Sequence, residues 1–271
     1  MSNEERARAD LPTVLAIAVL AYTLSNIVHE GLGHGGACLL VGGRPTILNA
    51  IFFNYDEATV SAANQRLISA AGSIADVLVG VPAVLALRNR RLTPAWRYFL
   101  WLFAAVNLLT AFGYLLYSGI GGVGDWFRVV QGAEPAIVYR GAMTVVGALL
   151  YFVVAPKVLM PPLDPFLGRD RATRAARART LCLYPYLAGG ITFVAAGLLN
   201  PVGLEIVFIS AVAASFGGTS LLAWYPGIPR KPSPETPEVP LAIERSKAWI
   251  AAAAVALILF VGVLGRGIGH L

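Results

Sequence analysis

Seven long apolar runs, separated by short polar stretches, dominate the order of hydrophobic and polar positions in this chain. A helix that crosses a bilayer needs about 20 consecutive, mostly apolar residues, and each run comes close to or exceeds that length. The pattern therefore predicts an all-α polytopic membrane protein with about seven transmembrane helices. The predicted helices cover Leu11–Val41, Leu67–Leu87, Trp96–Ile120, Gly141–Met160, Leu181–Leu199, Val202–Trp224 and Ala248–Leu264.

Two segments between the apolar runs depart from this helical pattern. After the first run, residues 46–62 predict a short β-hairpin, with strands at Thr46–Phe52 and Ala58–Ala62 around a polar turn at Asn54–Glu57. Non-helical backbone at a membrane is tolerated where it is buried in protein or lines a wet cavity, so we expect the hairpin to face a substrate. Residues 225–240 are rich in proline and predict an extended linker before the last helix.

Composition and charge agree with a membrane location and indicate an orientation. Charged residues make up 13% of the chain, against about 25% in ordinary soluble domains. Most of the 21 lysines and arginines fall in the tail 1–10 and in the loops near 88–97, 157–180 and 225–247. The positive-inside tendency predicts that this side, including the tail, is cytoplasmic. The bias explains the net charge of +6 without a nucleic-acid partner, and the loop "RDRATRAARART" suits contact with anionic lipid of the bilayer.

The first apolar run contains a cluster of ionisable side chains, within "NIVHEGLGHGGACLLVGG". Such side chains are costly inside a membrane and mark functional sites. His29 and His34 can bind zinc through imidazole nitrogens, and Glu30 can act as a general base towards water. Zinc proteases commonly place these histidines four residues apart, whereas five residues put them about 140° apart around a regular α-helix. A π-bulge, or unwinding at Gly31 or Gly33, would return them to one side.

A catalytic zinc usually has three protein ligands, so a third residue must join the histidines. The acids at membrane depth are Asp76, Asp125 and Glu205. Asp125 is favoured because it follows a glycine-rich break at the end of the third run, although it could instead cap the short helix "DWFRVVQ". Asp76 is expected to bond between helices or to support a ligand, and Glu205 to lie at the membrane interface. The histidines could also be interhelical hydrogen-bonding residues, with Glu30 paired to an arginine.

The run "HEGLGHGGACLLVGGRP" resembles the motif helix of the site-two protease family of intramembrane zinc metalloproteases. A predicted hairpin follows it, as in the family, and "AAGSIADVLVG" is similar to the small-residue segment of the family's next helix. The sequence "GVGDW" stands where the family's third metal ligand would fall. The resemblance covers roughly residues 11–130, a predicted three-helix metalloprotease-like core, and leaves residues 131–271 as a four-helix accessory region.

This resemblance implies a zinc cofactor and cleavage of a peptide bond in a transmembrane or membrane-associated protein. His29, His34 and Asp125 would bind the zinc, and Glu30 would be the catalytic base. The hairpin would receive the unwound substrate by strand addition. The implied substrate-binding residues are Thr46, Ile47, Leu48 and Asn49. The expected location is the bacterial plasma membrane.

Two other functions fit the same residues. A zinc hydrolase of a lipid amide or ester would need a lipid-sized apolar pocket and would have no strand-like edge at Thr46–Phe52. A transporter or membrane scaffold would use the histidines to bind ions or protons without hydrolysis. In that case the substitution Glu30→Gln would leave function intact, whereas the histidines would matter.

Overall fold

A computed structural model describes residues 9–89, 91–228 and 231–269 of the chain, so most of the predicted tail 1–10 lies outside it. The described chain is predominantly helical, and six helices are long and apolar enough to cross a membrane, which confirms an all-α polytopic membrane protein. The helices are α1 Leu11–Leu40, α2 Ala62–Ala86, α3 Pro94–Gly121, α4 Asp125–Val130, α5 Ala136–Leu167, α6 Arg171–Gly197, α7 at 204–217, α8 Leu221–Trp224 and α9 Lys247–Arg266.

The sixth predicted crossing, Val202–Trp224, is not one continuous helix. A turn at 218–220 separates α7 from α8, at a point where Gly218 lies against Gly113 of α3. Helix α7 runs back along α6, because Gly197 lies beside Val207 while Gly190 lies against Phe216. This return is also required because α1 and α9 run in the same direction between the two ends of the bundle. The run therefore returns the chain along α6, but neither α7 nor α8 is among the six helices long enough to cross a membrane.

The two ends of the bundle are defined by contacts between the first and last helices. At one end, Ala9 bridges to Ile243, so α1 and α9 start together. At the other end, the segments that follow α1 and α9 pair in one sheet. The turn between α5 and α6 lies at the starting end, since Leu241 donates to the Pro165 carbonyl at 2.9 Å. The predicted basic loops thus gather at the end where α1 starts, and we call it the basic end.

The predicted hairpin is present, but its strands lie elsewhere than expected. Strand β1 is Arg44–Leu48 and strand β2 is Phe53–Asp56, so the residues predicted to turn form most of β2. The turn is made instead by the segment after Asn49, whose side-chain oxygen accepts from the Ile51 N–H at 3.1 Å. Asparagine favours such turns because its short side chain bonds to backbone two residues on. The helical turn Glu57–Thr59 replaces the predicted second strand.

The sheet has a third strand that the sequence pattern did not reveal. Strand β3, Ile268–Gly269, pairs antiparallel with β1 and gives the order β2-β1-β3. Strand β1 is therefore the middle strand, and the open edge expected at Thr46–Asn49 is covered at Ile47 and Leu48. A two-residue strand at the end of an apolar helix carries too little pattern to be predicted. The edge strand next to the rest of the bundle is β2.

The hairpin turn is locked into the bundle rather than exposed. Asn26 of α1 donates its side-chain amide to the Ala50 carbonyl, and the Ala50 N–H donates to the Leu264 carbonyl at 2.9 Å. The Asn49 amide donates to the Gly265 carbonyl at 2.8 Å. Buried polar backbone must find such partners, and here they come from the two helices that flank the turn. The contacts place β2 beside the histidine segment of α1.

Candidate metal centre

The histidine segment of α1 departs from α-helical geometry where the sequence predicted that it must. Residues Ile27–Gly35 form a π-helix, in which hydrogen bonds join residues five apart. This winding brings His29 and His34, which are five apart, to the same side, with their Nε2 atoms 3.2 Å apart. The predicted π-bulge is confirmed. Both imidazoles and the Glu30 side chain are buried.

Close packing between α1 and α2 builds the wall behind the imidazoles. A Cβ atom on Gly33 would lie 2.6 Å from the Gly72 Cα atom, so the two helices touch through their backbones. A Cβ atom on Gly72 would lie 2.6 Å from His34 Nε2 and 2.7 Å from His29 Nε2. Only glycine fits at these two positions. The sequence showed small residues around Gly72 but not that one of them borders the histidines.

The other nitrogen of each imidazole is held by an acceptor. His34 Nδ1 lies 2.7 Å from the Ile68 carbonyl, and His29 Nδ1 lies 2.8 Å from the Asp76 carboxylate. A carbonyl or carboxylate oxygen can only accept, so Nδ1 carries the proton in both rings. The two Nε2 atoms face each other. Metal-binding histidines are oriented in this way, by a carboxylate or a carbonyl on the far nitrogen.

Asp125 completes the cluster from the segment after α3. Its carboxylate oxygen Oδ2 lies 3.2 Å from His29 Nε2 and 3.4 Å from His34 Nε2. Gly124 is the N-cap residue of α4, and the Asp125 side chain makes no cap, so the capping role considered for it is not found. Burial raises the pKa of the Asp125 carboxyl, but the neighbouring His34 and His29 imidazoles lower it more, to below its ordinary value. Asp125 therefore carries its negative charge beside the two imidazoles.

The spacing of these three atoms fits a tetrahedral zinc ion. Bonds of about 2.0–2.1 Å from a tetrahedral Zn²⁺ place neighbouring ligand atoms about 3.3 Å apart. The three distances among His29 Nε2, His34 Nε2 and Asp125 Oδ2 are 3.2, 3.2 and 3.4 Å. The three residues thus fit three corners of a tetrahedral zinc site.

Glu30 forms part of the wall between two cavities next to this cluster. A polar cleft of about 150 Å³ is lined by Glu30, His34 and Asp125 together with β2. A smaller cavity of about 20 Å³, large enough for one water molecule, is lined by Glu30 and also by His29. Among the residues that the structure describes, the Glu30 carboxylate accepts no hydrogen bond. It is therefore available to water in either cavity.

No protein-family model matches this chain, and comparisons with curated proteins and with solved structures found no match.

Two residues that line both cavities were not foreseen. Tyr114 of α3 lies with its ring centroid 5.2 Å from that of His29, and Ser210 comes from α7. A tyrosine or serine in an apolar span is a weak signal, and nothing in the sequence places α7 beside α1. The predicted accessory region therefore reaches the candidate centre.

The remaining predicted residues have separate positions. Asp76 is fully buried and supports His29, as expected. Glu205 is exposed at the start of α7 and belongs to no group of possible ligands in the described residues. Among the predicted substrate residues, Asn49 is occupied in holding the hairpin turn, and Thr46–Leu48 lie in the middle strand. The strand that borders the cleft is β2, through Phe53, Asn54 and Tyr55.

Proposed function

We propose that this chain is an intramembrane zinc metalloprotease that hydrolyses a peptide bond of a membrane-embedded protein. The observation that carries the proposal is the set of three ligand atoms, all 3.2–3.4 Å apart, with an unpaired glutamate beside them inside an apolar bundle. His29, His34 and Asp125 would hold the zinc. A zinc ion in this position supplies Lewis-acid polarisation of a carbonyl and makes a water molecule a stronger nucleophile.

The protein's own residues account for the proton transfers. Glu30 accepts a proton from the attacking water and returns it to the amide nitrogen of the leaving segment, as a general base and then a general acid. The 20 Å³ cavity behind Glu30 supplies a place for water inside the apolar bundle, bordered by Ser25 and Thr110. Asp76 keeps the His29 ring and its tautomer fixed during the reaction.

The hairpin supports a peptide substrate. Strand β2 borders the polar cleft and has no strand on its outer edge among the described residues. An extended peptide can add to such an edge through main-chain hydrogen bonds, which would place one of its carbonyls in the cleft. The proposed docking strand is therefore Phe53–Asp56, whereas substrate contact at Thr46–Asn49 would require β3 to leave β1.

Two observations favour a peptide over a lipid as substrate. A lipid hydrolase was expected to have no strand-like edge at Thr46–Phe52; β1 covers Arg44–Leu48 as the middle strand, and the free edge that borders the cleft is β2 at Phe53–Asp56. An apolar cavity of about 500 Å³ does lie between α1 and α9, lined by Leu24, Ile27 and Phe260 among others. None of the three candidate ligands lines it. A lipid held there would not meet the metal centre.

The test begins with metal content. The purified protein, H34A and D125A are analysed for zinc by mass spectrometry after reconstitution and desalting. We expect near-stoichiometric zinc in the wild type and loss in both variants. Absence of zinc from the wild type would overturn the proposal. Loss in H34A alone would remove Asp125 from the ligand set.

Cleavage is tested separately with Glu30→Gln. Membranes from cells expressing the wild type or E30Q are compared by labelling new protein N-termini, with the exposed Glu205→Gln as matched control. We expect new termini within apolar segments in the wild type and in E205Q, and a loss of about 100-fold or more in E30Q, with zinc retained. Equal termini in E30Q and the wild type would reject Glu30 as the base and would favour a transporter or scaffold.

A further inference from the structure

A large basic cavity lies at the basic end of the bundle, opposite the hairpin. Its volume is about 590 Å³, and it is lined by the end of α5, by the first half of α6 with the turn before it, and by residues 225–228 and 231–232. Its cationic residues are Arg169, Arg171, Arg174 and Lys231. Its apolar residues include Met160, Leu167, Ala178 and Ile228. No acidic residue lines the cavity within the described part of the chain.

Two of the arginines are held in place by protein oxygens. Arg169 donates to the Thr236 and Pro234 carbonyls, each at 2.7 Å, and these neutral acceptors leave its charge uncompensated. Arg174 donates to the Asp164 carboxylate at 2.6 Å, which offsets its charge. These bonds tie the linker after α8 to the turn between α5 and α6. The cavity is therefore built by fixed groups rather than by loose surface side chains alone.

The other two cations have no partner in the described residues. The side chains of Arg171 and Lys231 are exposed and make no hydrogen bond or ion pair within 9–89, 91–228 and 231–269. Together with Arg169 they place three uncompensated positive charges around one cavity. Such an arrangement attracts an anion, and guanidinium groups bind phosphate oxygens with strong, directed hydrogen bonds.

The apolar wall and the location identify the kind of anion. The cavity lies between the end of one candidate span, α5, and the start of the next, α6, which is where a membrane meets water. A ligand that meets both cations and an apolar wall there is an amphiphile with an anionic head. Basic pockets between transmembrane helices bind lipid head groups in this way.

We propose that this cavity binds the phosphate head group of an anionic phospholipid, with its acyl chain along Met160, Leu167 and Ile228. The phosphate lies among Arg169, Arg171 and Lys231. The site is separate from the metal centre, at the opposite end of the bundle, and does not depend on the proposed protease activity. Free inorganic phosphate has the same charged oxygens as the head group, but it has no apolar part that could contact the apolar wall.

The test measures binding to the full-length protein in a non-ionic detergent by microscale thermophoresis. The probes are short-chain phosphatidylglycerol, short-chain phosphatidylcholine and inorganic phosphate. The double variant R171Q/K231Q removes the two unpaired cations. The matched control is R179Q/K247Q, which removes two exposed cations that do not line the cavity. Thermal midpoints of all three proteins are compared, so that a folding defect is recognised.

We expect phosphatidylglycerol to bind at least 10-fold more tightly than phosphatidylcholine, and R171Q/K231Q to lose at least 10-fold of that affinity while the control keeps it. An equal loss in R179Q/K247Q would show attraction by overall charge and would overturn the site. Inorganic phosphate binding as tightly as phosphatidylglycerol would overturn the lipid assignment in favour of a phosphate site. Equal binding of the two lipids by the wild type would also overturn the proposal.

Discussion

A methyl group at Gly72 would enter the space that the two imidazoles occupy. The Cβ atom of Gly72→Ala would lie 2.6–2.8 Å from His34 Nε2, His29 Nε2 and His29 Cε1, whereas ordinary contacts begin at 3.4 Å. The rings would have to move by about 0.7 Å, while metal–ligand distances tolerate only about 0.2 Å. Withdrawal of the Gly72 backbone from the rings would instead break the close contact between α2 and α1 at Gly33.

The expected loss of zinc affinity exceeds that of an ordinary change beside a metal site. Removing a hydrogen-bond partner of a ligand typically costs about 10–100-fold in metal affinity. Displacing two ligands together should cost at least about 100-fold, or about 2.8 kcal/mol. The affinity is measured by competition with a chromophoric zinc chelator, and stoichiometry by mass spectrometry.

The matched control is Gly36→Ala on α1. A Cβ atom there meets nothing within 4 Å, although the position lies two residues after His34. We expect G36A to bind zinc as the wild type does. If G72A bound zinc within about threefold of the wild type while remaining folded, the arrangement of α2 against the histidines would be wrong.

Three further predictions follow from the same contacts. Asp76→Asn should weaken zinc binding by about 10–100-fold without abolishing it, because the His29 ring loses its charged acceptor. Competition with the chelator measures this affinity, and an unchanged value would remove Asp76 from the site. Removing zinc should lower the thermal midpoint, since a ligand at 100 times its Kd stabilises the folded state by about 2.7 kcal/mol. Adding zinc back should restore the midpoint in the wild type but not in H29A. Asn26→Ala should leave zinc affinity unchanged but lower thermal stability and cleavage. The reason is that the buried Ala50 carbonyl loses a hydrogen bond whose absence costs about 1–3 kcal/mol. Loss of zinc from N26A would contradict the view that the hairpin turn and the metal centre are independent.

The membrane character and the histidine distortion were determined by local sequence. Apolar runs of about 20 residues specify spanning helices wherever they pack, because the bilayer demands internal hydrogen bonding. The distortion near the histidines could also be predicted from local sequence. Histidines five residues apart, such as His29 and His34, can bind one ion only if the helix winding between them changes. The sixth run, Val202–Trp224, shows the limit of this rule, because contact with α3 at Gly113 accompanies a break that its apolar composition does not reveal.

Tertiary structure decided which distant groups meet the histidines. Asp125 and Asp76 both stood at membrane depth in the sequence, but only the packing of α1 against α2 and α3 assigns one to Nε2 and the other to Nδ1. The open edge of the hairpin is β2 rather than the predicted Thr46–Asn49, because two residues after α9 pair with β1. Gly72 borders the imidazoles because α2 packs closely against α1. Local pattern sets which face of a helix is apolar, whereas contacts between residues far apart in the chain depend on how all the helices assemble.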